Sequence, residues 1–280
     1  MRSSLFFLLS CLLVSAGCAE PGAGDDDDAA NDDDLGDDDD AACGLSSGGS
    51  GGAMDVATWY SVPGFGPGDG SSQYEMLAYA PSSAAVTPMP VLLLVGRRMP
   101  LARADNEALF AQLGMIDWAE EHGWVVYLAN PGDTGNSQIN WTDSQEDADF
   151  FNASLDLLGE QYDIDLDRVH ALGSSAGGRA ATYLGWAHGE RLASIVNHAG
   201  SNPFSPWPET PWDSECAGLF IHDDEDPIVP RAAVQDVIDM WIDADQVTET
   251  DFEYAYEHAW VPEGLFPPMK AFFDTVCNER

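Results

Sequence analysis

From Gln73 onward, short apolar runs rich in β-forming residues alternate with longer stretches in which apolar residues recur at three- and four-residue spacing. The first kind predicts strands at residues 74–79, 91–95, 124–128, 169–173, 194–198, 217–222 and 252–256, and the second predicts helices at 106–121, 147–162, 176–188 and 231–244. Continuous apolar strands separated by helices require a parallel sheet covered on both faces. The expected architecture is an open, doubly wound α/β sheet that binds ligands at the carboxyl ends of its strands. No internal repeat interrupts the pattern.

The first fifty or so residues follow a different logic. Residues 1–18 combine a basic start at Arg2, an apolar stretch too short to span a bilayer, and small residues leading to Cys18. That layout predicts a signal peptide whose end, Ser15-Ala16-Gly17-Cys18, is similar to a bacterial lipobox with Cys18 as the lipidated residue, though Ser15 stands where that motif has leucine, which leaves cleavage after Ala19 by the ordinary signal peptidase open. Residues 19–52 are rich in Asp, Gly and Ser, with eleven aspartates between Asp25 and Asp40. Such a block repels itself and cannot bury apolar surface, which predicts a disordered acidic tether. Its spacing lacks the glycine and distal glutamate of a calcium loop. A single catalytic domain is therefore expected over residues 53–280, exported to the periplasm, the medium or the outer membrane surface.

Charge and cysteine content narrow the function classes. Without residues 1–42 the chain keeps 37 acidic and 9 basic residues, a net charge near −28 that would repel nucleic acid. The membrane is expected to be reached only through the N-terminal anchor, and the protein to act as a monomer. Cys43, Cys216 and Cys277 would face an oxidising compartment. The predicted topology brings the start of the 217–222 strand and the last helix to one edge, so a Cys216–Cys277 disulfide is expected, with Cys43 as the odd thiol. No metal-ligand spacing emerges, and neither a metal nor an organic cofactor is expected.

Candidate chemistry concentrates at Gly173-Ser174-Ser175-Ala176-Gly177. The pattern G-x-S-x-G fits only with Ser175 at its centre, between a predicted strand and a predicted helix. Flanking glycines allow a sharp bend that presents the central hydroxyl at a helix N-terminus. Such a fold orders its triad serine, acid, histidine. The only histidine beyond the loop 223–230 is His258, and Asp223, Asp224, Glu225 and Asp226 compete for the acid.

Four stretches carry a resemblance. "IHDDEDPIVP" looks like the H-G-x-x-D-x-x-V-P stretch of polyhydroxybutyrate depolymerase-like and feruloyl esterase-like members of the α/β-hydrolase superfamily. "YDIDLDRVHALGSSAGG" resembles that family's lead-in to its nucleophile, "EDADFFNASLD" its preceding helix, and "EHAWVPEG" its histidine turn G-H-x-W-P. The resemblance implies an α/β-hydrolase fold, with Ser175 as nucleophile, Asp226 as the orienting acid and His258 as acid/base. It also implies backbone oxyanion donors at Ala176 and, after Gly96, at Arg97. Asp223 and Glu257 stand where the family has glycines, Val261 is inserted, and Val95 replaces a histidine.

Trp207 and Trp212, in a loop with three prolines, and Trp260 are candidates for an aromatic wall on the substrate. Arg97, Arg98 and Arg103 are expected to pair with carboxylates. These features together predict a serine esterase that acts through an acyl-enzyme on soluble, oligomeric or polymeric esters of hydroxyalkanoate, feruloyl or acetyl type. Two rivals remain at this level: a peptidase related to prolyl oligopeptidase, and a non-catalytic binding protein that has kept the fold.

Overall fold

The computed structural model of the protein describes residues 44–65, 74–84, 88–96, 100, 102–131, 141, 144–203 and 215–277. Among the described residues eight strands form one sheet: β1 (Thr58–Ser61), β2 (Glu75–Tyr79), β3 (Met89–Val95), β4 (Val125–Asn130), β5 (Ile164–Ser174), β6 (Ser194–His198), β7 (Ala217–Ile221) and β8 (Thr248–Asp251). Their spatial order is β1-β2-β4-β3-β5-β6-β7-β8. The β1–β2 and β2–β4 pairs are antiparallel, and every pair from β4 to β8 is parallel. The expected doubly wound, mostly parallel sheet is what the chain forms.

Period-two alternation along the apolar strands builds a core on each face. Val91, Leu93 and Val95 of β3 face one cluster, and Leu92 and Leu94 the other. The first cluster is closed by helices α3 (Gln145–Gln161), α4 (Ala176–Ala187) and α5 (Arg231–Asp243). The second is closed by α1 (Arg103–Gln112), α2 (Met115–His122) and α6 (Pro262–Phe273). All seven residues of β3 are buried, which explains why these strands read as unbroken apolar runs.

Several boundaries differ from the sequence expectation. The single helix expected at 106–121 is two, broken at Gly114, whose φ of 75° no helix interior accepts. The last strand is Thr248–Asp251 rather than 252–256; the sequence "TETD" carries almost no strand signal, yet suits a charged sheet edge. The aromatics that suggested a strand pack instead as a loop, Arg231 lying 3.5 Å over the Phe252 ring. Residues 44–52, assigned by composition to the tether, dock on β5 and α3. Leu166 N–H donates to Leu45 O (2.9 Å), Ser47 N–H to Ile164 O (2.9 Å) and Gly52 N–H to Gln161 O (2.6 Å). The glycines there permit close approach: a Cβ on Gly49 would lie 2.1 Å from Gly159 O. The domain thus takes in residues that composition alone marks as linker. The signal peptide and the aspartate run lie outside the described residues.

The expected Cys216–Cys277 disulfide is not formed. Cys216 is a free, fully buried thiol, while Cys277 is disulfide-bonded. Cys216 directly precedes β7 and is fully buried, its Sγ only 3.3 Å from where a Cβ on Gly185 would sit. Burial pushes its thiol well above the ordinary range. Non-reducing peptide mapping should therefore link Cys277 to a cysteine N-terminal of Gly44 and find Cys216 alkylated only after denaturation; a Cys216–Cys277 peptide would contradict this arrangement. Among the described residues no helix is long and apolar enough to cross a membrane.

Candidate active site

The parallel strands β5, β6, β7 and β8 end along one edge of the sheet, and the candidate residues follow those ends. Ser175 comes directly after β5 and immediately before α4. Its backbone is strained, with φ 57° and ψ −118°, a conformation that costs a non-glycine residue about 1–3 kcal/mol and persists only where its surroundings enforce it. The enforcement is visible: Ser175 N–H donates to His198 O (2.8 Å), and Ser175 O accepts from Arg179 N–H (3.0 Å). The hydroxyl-bearing residue is thereby fixed at the mouth of α4.

The two motif glycines are there because backbone fills the space a side chain would need. A Cβ on Gly173 would lie 2.1 Å from Gly177 O, and one on Gly177 would lie 2.1 Å from Val95 O. The first turn of α4 therefore rests on the end of β3, which sets the Val95–Gly96 segment beside Ala176. Gly177→Ala is expected to cost about 1–3 kcal/mol or more, as overpacking against rigid backbone does. Urea unfolding measures it, and a wild-type midpoint would mean that α4 can back away from β3.

Asp226 lies in the loop after β7, and His258 in a turn seven residues beyond β8. His258 Nδ1–H donates to Asp226 Oδ2 (2.6 Å), and the two side chains are 6% and 0% exposed. The other carboxylate oxygen, Oδ1, accepts from Ile228 N–H (2.7 Å) and Val229 N–H (3.0 Å). Burial works to raise the Asp226 pKa, but the hydrogen bonds from His258, Val229 and Ile228 and the charge of His258 outweigh it and hold it below the usual carboxylate range. The carboxylate stays ionised and fixes the imidazole tautomer with its proton on Nδ1. His258 Nε2, the atom that would take a proton from a serine, is buried with no hydrogen-bond partner among the described residues.

The four competing acids are separated by their contacts. Asp224 pairs on the surface with Arg231 (2.7 Å) and Glu225 is exposed. Asp223 is buried and binds backbone: Oδ1 accepts from Glu225 N–H (2.8 Å) and Oδ2 from Glu257 N–H (2.6 Å). Of these four, Asp226 is the one hydrogen-bonded to His258.

Two further histidines surround the pair. His198, at the end of β6, shares a 2.9 Å hydrogen bond with Ser174 Oγ and packs edge-on against Tyr254. Burial, aided by repulsion from His258, lowers its pKa to about 4. His222 Nδ1 lies 3.9 Å from Asp226 Oδ2, and burial lowers its pKa too. Both are neutral at neutral pH, leaving His258 as the histidine partnered to the carboxylate. Tyr254 clamps the His258 turn: its hydroxyl donates to Ala259 O (2.6 Å) and accepts from Val261 N–H (3.0 Å). Neither His198 nor Tyr254 stands out in the sequence, since each falls inside a predicted strand.

The structure thus joins Asp226 to His258 and sets Ser175 on the same rim, with no Ser175–His258 hydrogen bond formed. Ala176 begins α4, so its N–H is one of the donors a helix start leaves unpaired. Arg97, Arg98, Trp207 and Trp212 lie outside the described residues. Trp260 is half-buried: its Nε1–H donates to Leu113 O (3.3 Å), at the end of α1, and its ring meets Phe266 of α6 and His198 of β6 edge-on. Arg103 pairs as expected, with the buried Glu75. Among the described residues no cluster of His, Cys, Asp or Glu could hold a metal.

The sequence matches no protein-family profile and no curated protein. Solved structures do resemble the fold. Esterase PE8 has 20% identity and a TM-score of 0.56, covering 72% of this chain and 97% of that one. A carboxylesterase from Bacillus cereus has 17% identity and a TM-score of 0.53, covering 71% and 93%. A dienelactone hydrolase-like promiscuous phosphotriesterase, P91, from metagenomic libraries has 18% identity and a TM-score of 0.53, covering 80% and 100%. At such identities the likeness speaks to the fold alone.

Proposed function

We propose, from the premise that this chain has the α/β-hydrolase fold, that it is a serine hydrolase cleaving carboxylic esters through an acyl-enzyme. The observation that carries the reading is the buried 2.6 Å His258–Asp226 hydrogen bond on the sheet edge where Ser175 occupies a strained strand-to-helix turn. In the reaction, Ser175 Oγ attacks the ester carbonyl carbon as His258 Nε2 takes the hydroxyl proton. The tetrahedral oxyanion is held by the N–H of Ala176 and, we propose, that of Arg97. Collapse breaks the ester C–O bond, and His258 returns the proton to the leaving alkoxide. Water then repeats the sequence on the acyl-enzyme and frees the acid.

No metal or organic cofactor is needed for these steps. Substrates of hydroxyalkanoate, feruloyl or acetyl type follow from the sequence resemblance, with Trp207, Trp212 and Trp260 proposed to line the site. Secretion with lipidation at Cys18 is supported by residues 1–18 alone. Initial rates on short aryl, acetyl, feruloyl and hydroxyalkanoate esters, beside an aminoacyl-proline amide, test the assignment. Hydrolysis of at least one ester class well above the amide is expected, and preference for the amide would move the chain to the peptidase reading. One observation favours a non-catalytic binding protein instead: the Ser175–His258 bond is unmade. Catalytic hydrogen bonds are often long before substrate binds, so this does not displace the hydrolase reading.

A further inference from the structure

We propose that Asp223 is a positioning residue that holds the left-handed turn before His258 and so keeps the imidazole on Asp226. The proposal rests on the hydrolase reading only for its effect on rate. Six non-glycine residues among those described have positive φ; of these, Ser175 and Ala199 directly follow β5 and β6, and Glu257 lies in the loop after β8. Glu257 has φ 55° and directly precedes His258. Glycine would adopt that conformation freely, whereas an L-residue with a side chain resists it.

What stabilises Glu257 there is the carboxylate of Asp223, whose Oδ2 accepts the Glu257 N–H at 2.6 Å. Asp223 is itself anchored at the other end. Its Oδ1 accepts from Glu225 N–H (2.8 Å), its O accepts from Asp226 N–H (3.0 Å), and it forms an isolated antiparallel bridge with Glu253. One buried carboxylate therefore ties the turn carrying the acid to the turn carrying the histidine. A charged acceptor on a backbone N–H is among the stronger hydrogen bonds available. Positions 223 and 257 are also the two at which the chain departs from the glycines of the sequence pattern it resembles, and the structure joins those departures by a single bond. The carboxylate at 223 compensates for the side chain at 257.

The compensation is testable by a double substitution. Asp223→Gly should lower kcat for 4-nitrophenyl acetate about 5- to 30-fold, the change in population expected when a left-handed residue loses its stabilising bond. KM should change by less than about twofold, because the carboxylate is buried with both oxygens bound to backbone N–H groups. Asp223→Asn, which keeps one acceptor and the side-chain volume, should fall between Asp223→Gly and wild type. Asp223→Gly with Glu257→Gly should recover most of the lost kcat, since glycine needs no help at positive φ. In parallel, the downfield proton resonance of His258 Nδ1–H, assigned by its loss in Asp226→Asn, should weaken in Asp223→Gly and return in the double variant. Unchanged kcat and resonance in Asp223→Gly, with or without a lowered melting temperature, would overturn the proposal, as would failure of the double variant to recover. A resonance that follows the predicted pattern in a protein inert toward every ester would sustain this role for Asp223 and sink the hydrolase reading instead.

Discussion

Ser175→Ala is expected to slow ester hydrolysis by about four orders of magnitude or more in kcat, the loss seen when an activated nucleophile is removed from a working triad. KM and the urea midpoint should stay close to wild type, because the turn is held by the Ser175 backbone bonds to His198 and Arg179 rather than by the hydroxyl. Ser174→Ala is the informative control. Its hydroxyl bonds His198, whose pKa is lowered to about 4, so its loss should cost about one neutral hydrogen bond in stability, on the order of 0.5–1.5 kcal/mol, and leave most of the activity. Steady-state kinetics on the two variants decides which of the adjacent serines does chemistry. Equal losses in both would mean that the strained backbone at 175 marks something other than a nucleophile.

Asp226→Asn should be nearly as damaging, with kcat falling about 10⁴-fold while the fold survives. The amide oxygen can still accept from Ile228 and Val229 N–H at the Oδ1 position, so the loop keeps its shape. The amide NH2 then faces His258 Nδ1 and favours the tautomer with its proton on Nε2, which cannot take a proton from serine. The pH dependence has a definite sign. In the native protein Asp226 has a lowered pKa, so its contribution to stability is present above the unfolded carboxylate value of about 3.9 and is lost as pH falls below it. Wild type should therefore lose stability relative to Asp226→Asn only in acid, below about pH 4, and urea titrations at pH 3.5 and 7 measure the difference. A wild-type advantage that shrinks as pH rises from 3.5 to 7 would mean instead that the carboxylate is not held ionised by its partners.

The fold was legible wherever burial on both faces forced a strand to be apolar throughout, as in β3, β4 and β7. It was illegible where an element takes its stability from elsewhere. β8 is four polar residues on an exposed edge, and Pro267 and Pro268 interrupt the pattern of α6, so a last helix ahead of Cys277 was expected without bounds. Composition misplaced residues 44–52 because glycine and serine signal a linker, whereas here the lack of side chains lets the segment dock against Gly159 and Tyr162. The disulfide expectation failed because strand ends near one edge say nothing of which way a side chain points, and Cys216 points into the core.

The candidate site was legible through order and context: one G-x-S-x-G, one histidine beyond the acidic loop, and a resemblance that pointed to Asp226, the acid of the four that is hydrogen-bonded to His258. What no pattern exposed is the scaffolding. Asp223 read as one of four competing acids, standing where the resembled pattern has glycine, until its oxygen met the Glu257 N–H, and Tyr254 read as a strand residue until its hydroxyl closed the turn at Ala259 and Val261. Such residues act through backbone groups, which leave no signature in a single sequence.

The central claim is that folding turns Ser175 into a nucleophile activated by His258. Treating the purified protein with an excess of a fluorophosphonate and mapping the adduct by mass spectrometry tests it most directly. One adduct per chain is expected, on Ser175, absent from Ser175→Ala and slowed by orders of magnitude in His258→Ala. No adduct, or one on Ser174 or elsewhere, would contradict it.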